Sequence, residues 1–409
     1  MKALQFRYSL PRLAATKILG TINPSLFTSA IAPVHLTDIA EIELPGADWV
    51  RVRTDLAGVC GSDLKEIMLN GAIDNPLTSL ISFPHVLGHE AVGTVEEVGA
   101  DAHTVSKGDR VILNPWLSCA PRGIDPPCPA CATGDYTLCR NFDSGSLPAG
   151  IHIGNNTGVP GAFARSFVAH QSQLIRVPHS VSNEAAVLAD PFAVSLHSVL
   201  RRPPHPDAPV LVYGLGTLGL CAVAAIKRLY PDVPIYAVGR HPHQIELARR
   251  LGADEIISGR PKEIIEEVAR LTDATIMTPW NGLPWILDGV GVVYDTVGSP
   301  ETIEVGIRVA KTRGSVVVSG VEAAKRFEWT PIYFKEVDVT GSNAFAVEEI
   351  DGVRKHAMQW YVEMCEQGLD MTPLITHRFT LDGWREVFAT LMNKRKTRAL
   401  KIVIEPATD

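Results

Sequence analysis

The sequence predicts an α/β protein: a strand-rich domain interrupted by an inserted, doubly wound parallel sheet. Three observations carry this expectation. The chain has 409 residues, 46% of them hydrophobic, which is long for one core and points to two domains. Residues 1 to about 190 are rich in Gly and Pro and hold short β-like runs, among them "WVRVRTDLAGV", "AVGTVEEVGA" and "DRVILN"; turn residues between short strands describe a loop-rich β domain. From about 192 to 341 apolar strands alternate with helix-period runs, the pattern of βαβ units on a parallel sheet.

Taken in order, "PVLVYG" is a continuous apolar strand and "TLGLCAVAAIKRLY" a helical run; "PIYAVG" and "HQIELARRLGA" repeat the pair. "DEIIS", "KEIIEEVARLT", "GVVYDTVG", "ETIEVGIRVAK" and "GSVVVSG" continue it. The stretch 272–290 fits no clean element and is expected to hold a buried strand and an apolar loop. After Gly341 the pattern turns mixed and ends in the strand "ALKIVIE". Near the start, the segment from "LAATKILG" to "EIELP" exceeds a hairpin connection, and it is read as a partial cover over a substrate cleft.

Composition excludes several function classes. A net charge of -7 and no long basic tract argue against nucleic-acid binding; "NKRKTR" is a short cluster suited to a solvated turn. The N-terminus lacks the apolar core of a signal peptide, and no run of about 18 apolar residues would span a membrane. A cytoplasmic location is therefore expected. There thiols stay reduced, so clustered cysteines point to metal or chemistry; the odd total of seven also argues against a complete disulfide framework.

Gly214-x-Gly216-x-x-Gly219, with Thr217 and Leu218 between, follows an apolar strand and heads a helix. The first glycine suits a tight turn, the second a close approach of backbone to a pyrophosphate, the third close helix–strand packing. With the surrounding alternation this reads as a Rossmann dinucleotide site. At the end of the next strand an NAD site places an acid on the ribose hydroxyl. Here Gly239, Arg240 and His241 follow. A glycine makes room and an arginine grips a 2′-phosphate, so NADP(H) is expected over NAD(H).

Outside that region, "AGVCGSDLKE" offers Cys60, "FPHVLGHEAVGTV" offers His89 and Glu90, and "AVLADPFAVSLHS" offers Asp190. Each alone has a bland reading as a buried residue or a turn. Together with "MKALQF", "KGDRV", "GAFA", "RRLGAD", "DTVG" and "ALKIVI" they occur in the order of one family. The whole chain resembles the zinc-dependent medium-chain dehydrogenase/reductase superfamily, the alcohol and polyol dehydrogenases. The resemblance implies a GroES-like catalytic domain from residues 1–191 and 342–409, with the Rossmann domain at 192–341. It implies a catalytic zinc on Cys60, His89 and Asp190, with Glu90 behind them or as a transient ligand, or else as the partner of a buried arginine. It further implies that zinc lowers the pKa of a substrate hydroxyl and that the resulting alkoxide passes a hydride to the nicotinamide. Ser62 resembles the residue that takes up the hydroxyl proton. The relay often ends on a histidine three residues later; Lys65 stands there instead, so water, another residue or Lys65 completes it.

Cys119, Cys128, Cys131 and Cys139 lie within 21 residues. The resemblance makes them a closed structural zinc site, for two zinc ions per chain. The family's first gap is two residues and here it is eight; the alternatives are a site without Cys119 and a reactive Cys128–Cys131 thiol pair. Cys221 and Cys365 read as core or surface residues, and His197 as a helix residue near the domain junction. Asn343, Arg398 and Lys401 are candidates to approach the cofactor, the last two equally as solvated charges. A small alcohol or carbonyl substrate and a homo-oligomer, dimer or tetramer, complete the expectation. Carbonyl reduction as the main direction, and a non-catalytic NADPH-binding protein on the same fold, are the competing readings.

Overall fold

The computed structural model describes residues 1–71, 75–322 and 326–406. They form two compact units, Met1–Asp190 with Met358–Asp409, and Pro191–Ala357. The first crossing lies beside the expected one. The return falls after Ala357 rather than after Gly341, because a hairpin at 347–356 stays with the second unit. Glu348 of that hairpin meets His197 Nδ1 at 2.6 Å and accepts the Ala346 N–H at 3.2 Å.

In the first unit β1 (Lys2–Phe6) pairs antiparallel with β2 (Val34–Asp38) and, further on, with β4 (His85–Val86). The long connection after β1 folds as α1 (Leu10–Ile22), which carries Pro11 in its first turn. Gly20 lets this helix sit on the Phe27 ring, where a Cβ would come within 2.6 Å. Lys17 Nζ donates to the Leu69 carbonyl at 2.6 Å. β3 (Trp49–Gly58) leads into α2 (Gly61–Ile67); β5 (Glu90–Val98) and β6 (Arg110–Leu113) follow. Then come α3 (Pro129–Thr133), β7 (Ser166–His170), β8 (Leu174–Arg176), α4 (Asn183–Ala186) and α5 (Ala189–Arg201), which carries the chain across.

The second unit opens with β9 (Val210–Tyr213), α6 (Thr217–Leu229), β10 (Ile235–Val238), α7 (Pro242–Arg250), β11 (Glu255–Ile257) and α8 (Pro261–Thr272). β12 (Ile276–Met277) and β13 (Trp285–Ile286) precede β14 (Val290–Asp295), α9 (Pro300–Val309), β15 (Ala310–Val318), α10 (Thr330–Lys335) and β16 (Asp338–Gly341). The hairpin β17 (Val347–Ile350) and β18 (Val353–His356) closes the unit. The sheet runs β11-β10-β9-β14-β15-β16 and is parallel throughout. β9, β10 and β14 are buried along their whole length, which is why they read as unbroken apolar runs. Strand order reverses between β9 and β14, and ligands bind beyond the carboxyl ends of strands at such a point. The stretch 272–290 departs from expectation: β12 and β13 form a separate two-stranded ladder, and Trp280 at its turn is fully exposed. Pro279 and Pro284 flank that turn and cannot donate to a central ladder.

The chain returns through α11 (Ala357–Glu366), β19 (Ile375–Thr380), α12 (Trp384–Met392), α13 (Lys394–Thr397) and β20 (Lys401–Glu405). The main sheet of the first unit is then complete, in the order β19-β20-β3-β5-β6-β8 with β7 on β3. Pairing of β20 with β3 opposes Val403 to Gly58, which brings the C-terminal strand beside the start of α2.

Candidate active site and metal lobe

Cys60 is the N-cap of α2. Its sulfur accepts the Asp63 N–H, and Asp63 Oδ2 accepts the Cys60 N–H at 2.8 Å, a reciprocal capping box. The box fixes the Cys60 side chain at the head of α2. His89 ends the turn before β5 and Glu90 starts that strand. One ligand atom from each of Cys60, His89 and Glu90 falls within 4.8 Å of the others. Asp63 Oδ1 stands 3.5 Å from His89 Nδ1. Burial opposes a charge on His89, yet Asp63 and the Cys60 sulfur raise it well above the ordinary value. The pocket is thus built to hold positive charge. One sulfur, one nitrogen and one oxygen fit a tetrahedral zinc with a fourth position open.

Two further groups face this cluster. Glu90 Oε2 is ion-paired with Lys401 Nζ, which also donates to the Val59 carbonyl at 3.2 Å. Asp190 is buried in the first turn of α5, outside the set of atoms drawn together. Burial first, then the Glu90 charge, pushes its carboxyl up to about 7. Of the expected trio, Cys60 and His89 stand in this set together with Glu90, and Asp190 lies beside it, close enough to feel the Glu90 and His89 charges. An aspartate is one methylene shorter than a glutamate, and Asp190 remains an acidic neighbour. The buried partner weighed for Glu90 exists, and it is a lysine. Lys401 is buried, so it is not a solvated charge on the terminal strand.

Sequence reasoning missed His152. Its ring lies 4.7 Å from the His89 ring and edge-on to Trp116 at 6.0 Å. Its Nδ1 meets the Ile153 carbonyl at 2.7 Å. Burial, with His89 alongside, lowers its pKa to about 3. Ser62 is exposed in the first turn of α2, and Lys65 is half-buried one turn further on.

The second cluster joins Cys119, Cys128, Cys131 and Cys139, all unbridged, with their sulfurs within 4.8 Å of one another. Cys119 and Cys139 sulfurs stand 3.7 Å apart. A tetrahedron with metal–sulfur bonds of 2.3 Å has an edge of about 3.8 Å, whereas a disulfide needs about 2.05 Å. Cys119 belongs to the set despite its longer gap. The reason is Arg122, fully buried, whose guanidinium donates to the carbonyls of Leu117, Ser144, Leu147, Pro148 and Gly150 at 2.6–3.1 Å. These five bonds tie the expanded loop to Leu117 and to the segment 144–150 beyond the last cysteine. Asn141 Nδ2 and the Cys128 N–H donate to the Cys119 sulfur at 3.2 and 3.3 Å. Burial pushes the Cys139 thiol up to about 11, while backbone N–H groups of Arg140 and Cys131 outweigh burial and bring Cys128 down to about 6. A dication among them would let all four lose their protons and serve as thiolate ligands.

In the second unit Gly214 has φ +96°, and a Cβ on Gly219 would lie 1.7 Å from the Gly214 carbonyl oxygen. Both positions demand glycine. A Cβ on Gly216 would meet nothing within 4 Å, and no side chain caps the first turn of α6 at Thr217 and Leu218. This open, uncapped turn has the donors a pyrophosphate needs. Gly239 has a second reason to be glycine, since a Cβ there would meet Leu215 Cδ1 at 2.5 Å. Arg240 is exposed and pairs with Glu301 at 3.3 Å; His241 caps α7 without a side-chain cap bond.

Two family models match the chain: the alcohol dehydrogenase GroES-like domain over residues 46–179 and the zinc-binding dehydrogenase over residues 217–363. L-idonate 5-dehydrogenase of Vitis vinifera is 30% identical over 364 residues, covering 87% of each chain. (R,R)-butanediol dehydrogenase of Saccharomyces cerevisiae is 28% identical over 393 residues, covering 91% of this chain and 95% of that one. Among solved structures, the alcohol dehydrogenase of Aeropyrum pernix has the same fold, with a TM-score of 0.75 at 24% identity, covering 99% of this chain and 100% of that one. The chain belongs to the zinc-dependent medium-chain dehydrogenase superfamily.

This dehydrogenase is an oxidoreductase acting on small alcohols, and its family implies zinc and a nicotinamide cofactor. Solved relatives hold either form: one from Sinorhizobium meliloti is bound to NADP and one from Escherichia coli is complexed with NADH. Cys221 is fully buried, His197 is held by Glu348, Asn343 is exposed, and Arg398 caps α13 in a left-handed conformation. Burial pushes Cys365 up to about 11. No helix among the described residues is long and apolar enough to cross a membrane.

Proposed function

We propose that this dehydrogenase moves a hydride between an alcohol or carbonyl substrate and NADP(H), with Cys60, His89 and Glu90 holding the catalytic zinc. The observation that carries the reading is the convergence of those three donors in a pocket built for positive charge. Bound there, zinc supplies Lewis acidity toward the substrate oxygen. The chain supplies the rest. The Cys60–Asp63 capping box orients the thiolate and Lys401 orients Glu90. Ser62, two residues from Cys60 and exposed, takes up the substrate hydroxyl proton and passes it to solvent or along α2 toward Lys65. Asp190 adds a nearby buried carboxyl, held toward its neutral form by burial and the Glu90 charge. Cys119, Cys128, Cys131 and Cys139 hold a second, structural zinc, and the working protein is a homo-oligomer.

NADP(H) preference is supported by Arg240 and by the missing acid at Gly239. The Arg240–Glu301 pair is exposed and worth well under 1 kcal/mol or so, so a 2′-phosphate displaces Glu301 readily. Turnover of an alcohol and carbonyl panel with either cofactor tests this. Arg240→Ala is expected to raise KM for NADP about tenfold and leave KM for NAD within twofold. Preference of the native protein for NAD would refute it.

A further inference from the structure

His152 is held for a purpose that the metal cluster does not use. The segment Ile151–Ile153 is laced to Pro115–Leu117: the Leu117 N–H donates to the Ile151 carbonyl at 3.0 Å and the Ile153 N–H to the Pro115 carbonyl at 2.9 Å. Trp116 and His152 face each other as an isolated antiparallel bridge. The His152 N–H donates to Asn155 Oδ1 at 3.1 Å. A carbonyl only accepts, so the 2.7 Å contact with the Ile153 oxygen places the ring proton on Nδ1. The neutral ring then presents Nε2 as an acceptor. Nε2 meets no donor among the described residues, and it is not among the atoms of the metal cluster. The residue is half-buried, so the site is not sealed.

The ring is nonetheless 4.7 Å from the His89 ring. A reacting oxygen must come to the cluster that His89 belongs to. A hydroxyl on the next carbon, followed by one hydrogen bond of about 2.8 Å, spans such a gap. An ammonium or a hydroxyl can donate to a lone pair there; a carboxylate or phosphate is repelled by it.

We propose that His152 is a specificity-determining residue whose Nε2 accepts a hydrogen bond from the hydroxyl next to the reacting one, so that vicinal diols and polyols are favoured over simple alcohols. This rests on the reading of Cys60, His89 and Glu90 as the catalytic centre. A site that pairs with a substrate hydroxyl discriminates strongly against an analogue that lacks it.

The test compares kcat/KM for vicinal butanediol and secondary butanol in the native, zinc-loaded protein and in two variants. His152→Asn keeps a donor for the Ile153 carbonyl but has no atom where Nε2 stood. His152→Gln puts an acceptor-capable amide near that place. The native diol-to-alcohol ratio is expected to be about ten or more, to fall about tenfold in His152→Asn, and to recover largely in His152→Gln. A native ratio near one, or an unchanged ratio in His152→Asn, overturns the proposal while leaving the catalytic centre standing. Absence of turnover on either alcohol in the zinc-loaded native protein, with both cofactors, would instead count against the catalytic reading itself.

Discussion

The four-cysteine lobe and the Cys60–His89–Glu90 cluster share one unit of the fold, yet they are built differently. The lobe offers four identical donors at tetrahedral spacing, and the groups around it only donate hydrogen bonds or fold the chain: Asn141, backbone N–H groups and Arg122. The second cluster mixes sulfur, nitrogen and oxygen. Around it stand groups that exchange protons or carry charge: Asp63, Asp190, Lys401 and His152. A site that only braces a loop needs full coordination and no chemistry at its rim. A site that turns over needs an open position and titratable neighbours. The more conspicuous cysteine cluster is thus the quieter one.

The contrast can be broken most sharply at His89. His89→Ala should lower kcat/KM by about a thousandfold or more, the several kcal/mol a Lewis acid supplies, and should cut bound zinc from two ions per chain to one. Equal activity in that variant would erase the distinction between the clusters. At the lobe the effect should be on stability instead. Arg122→Leu leaves five carbonyls without their donor and should cost about 3 kcal/mol or more in urea unfolding. A loss confined to activity would mean the lobe is not a brace.

A smaller effect sharpens the catalytic side. Glu90→Gln should weaken the zinc of that site about a hundredfold, because it removes a ligand charge and strands the buried Lys401. Asp190→Asn should weaken it about tenfold or less, as a neighbour rather than a ligand. Competition with a metallochromic chelator measures both, and the reverse order would restore Asp190 to the ligand set.

These sites were legible in the sequence to unequal degrees. Gly214, Gly216 and Gly219 could be read because their roles are local: a turn, an open approach and a contact with the preceding strand end. The four cysteines could be read from spacing, but the place of Cys119 depends on Arg122 reaching carbonyls 22 to 28 residues away. Lys401 gave no local sign of its role, since Glu90 is 311 residues distant and they are joined through β3, which pairs with β20 on one side and with β5 on the other. His152 sits in an irregular stretch with no period to mark a face. Gly341 looked like the end of the inserted unit because the strand–helix alternation stops there. The hairpin beyond it is held by His197, a partner that no repeat announces.

An anomalous-difference map at the zinc edge, on crystals of the native protein, tests the division of labour most directly. Two peaks are predicted for each chain. One should be bound by Cys119, Cys128, Cys131 and Cys139 at about 2.3 Å, and one by Cys60, His89 and Glu90 with a fourth, non-protein position. A single peak, or a second peak whose fourth position is closed by another protein side chain, would contradict the account.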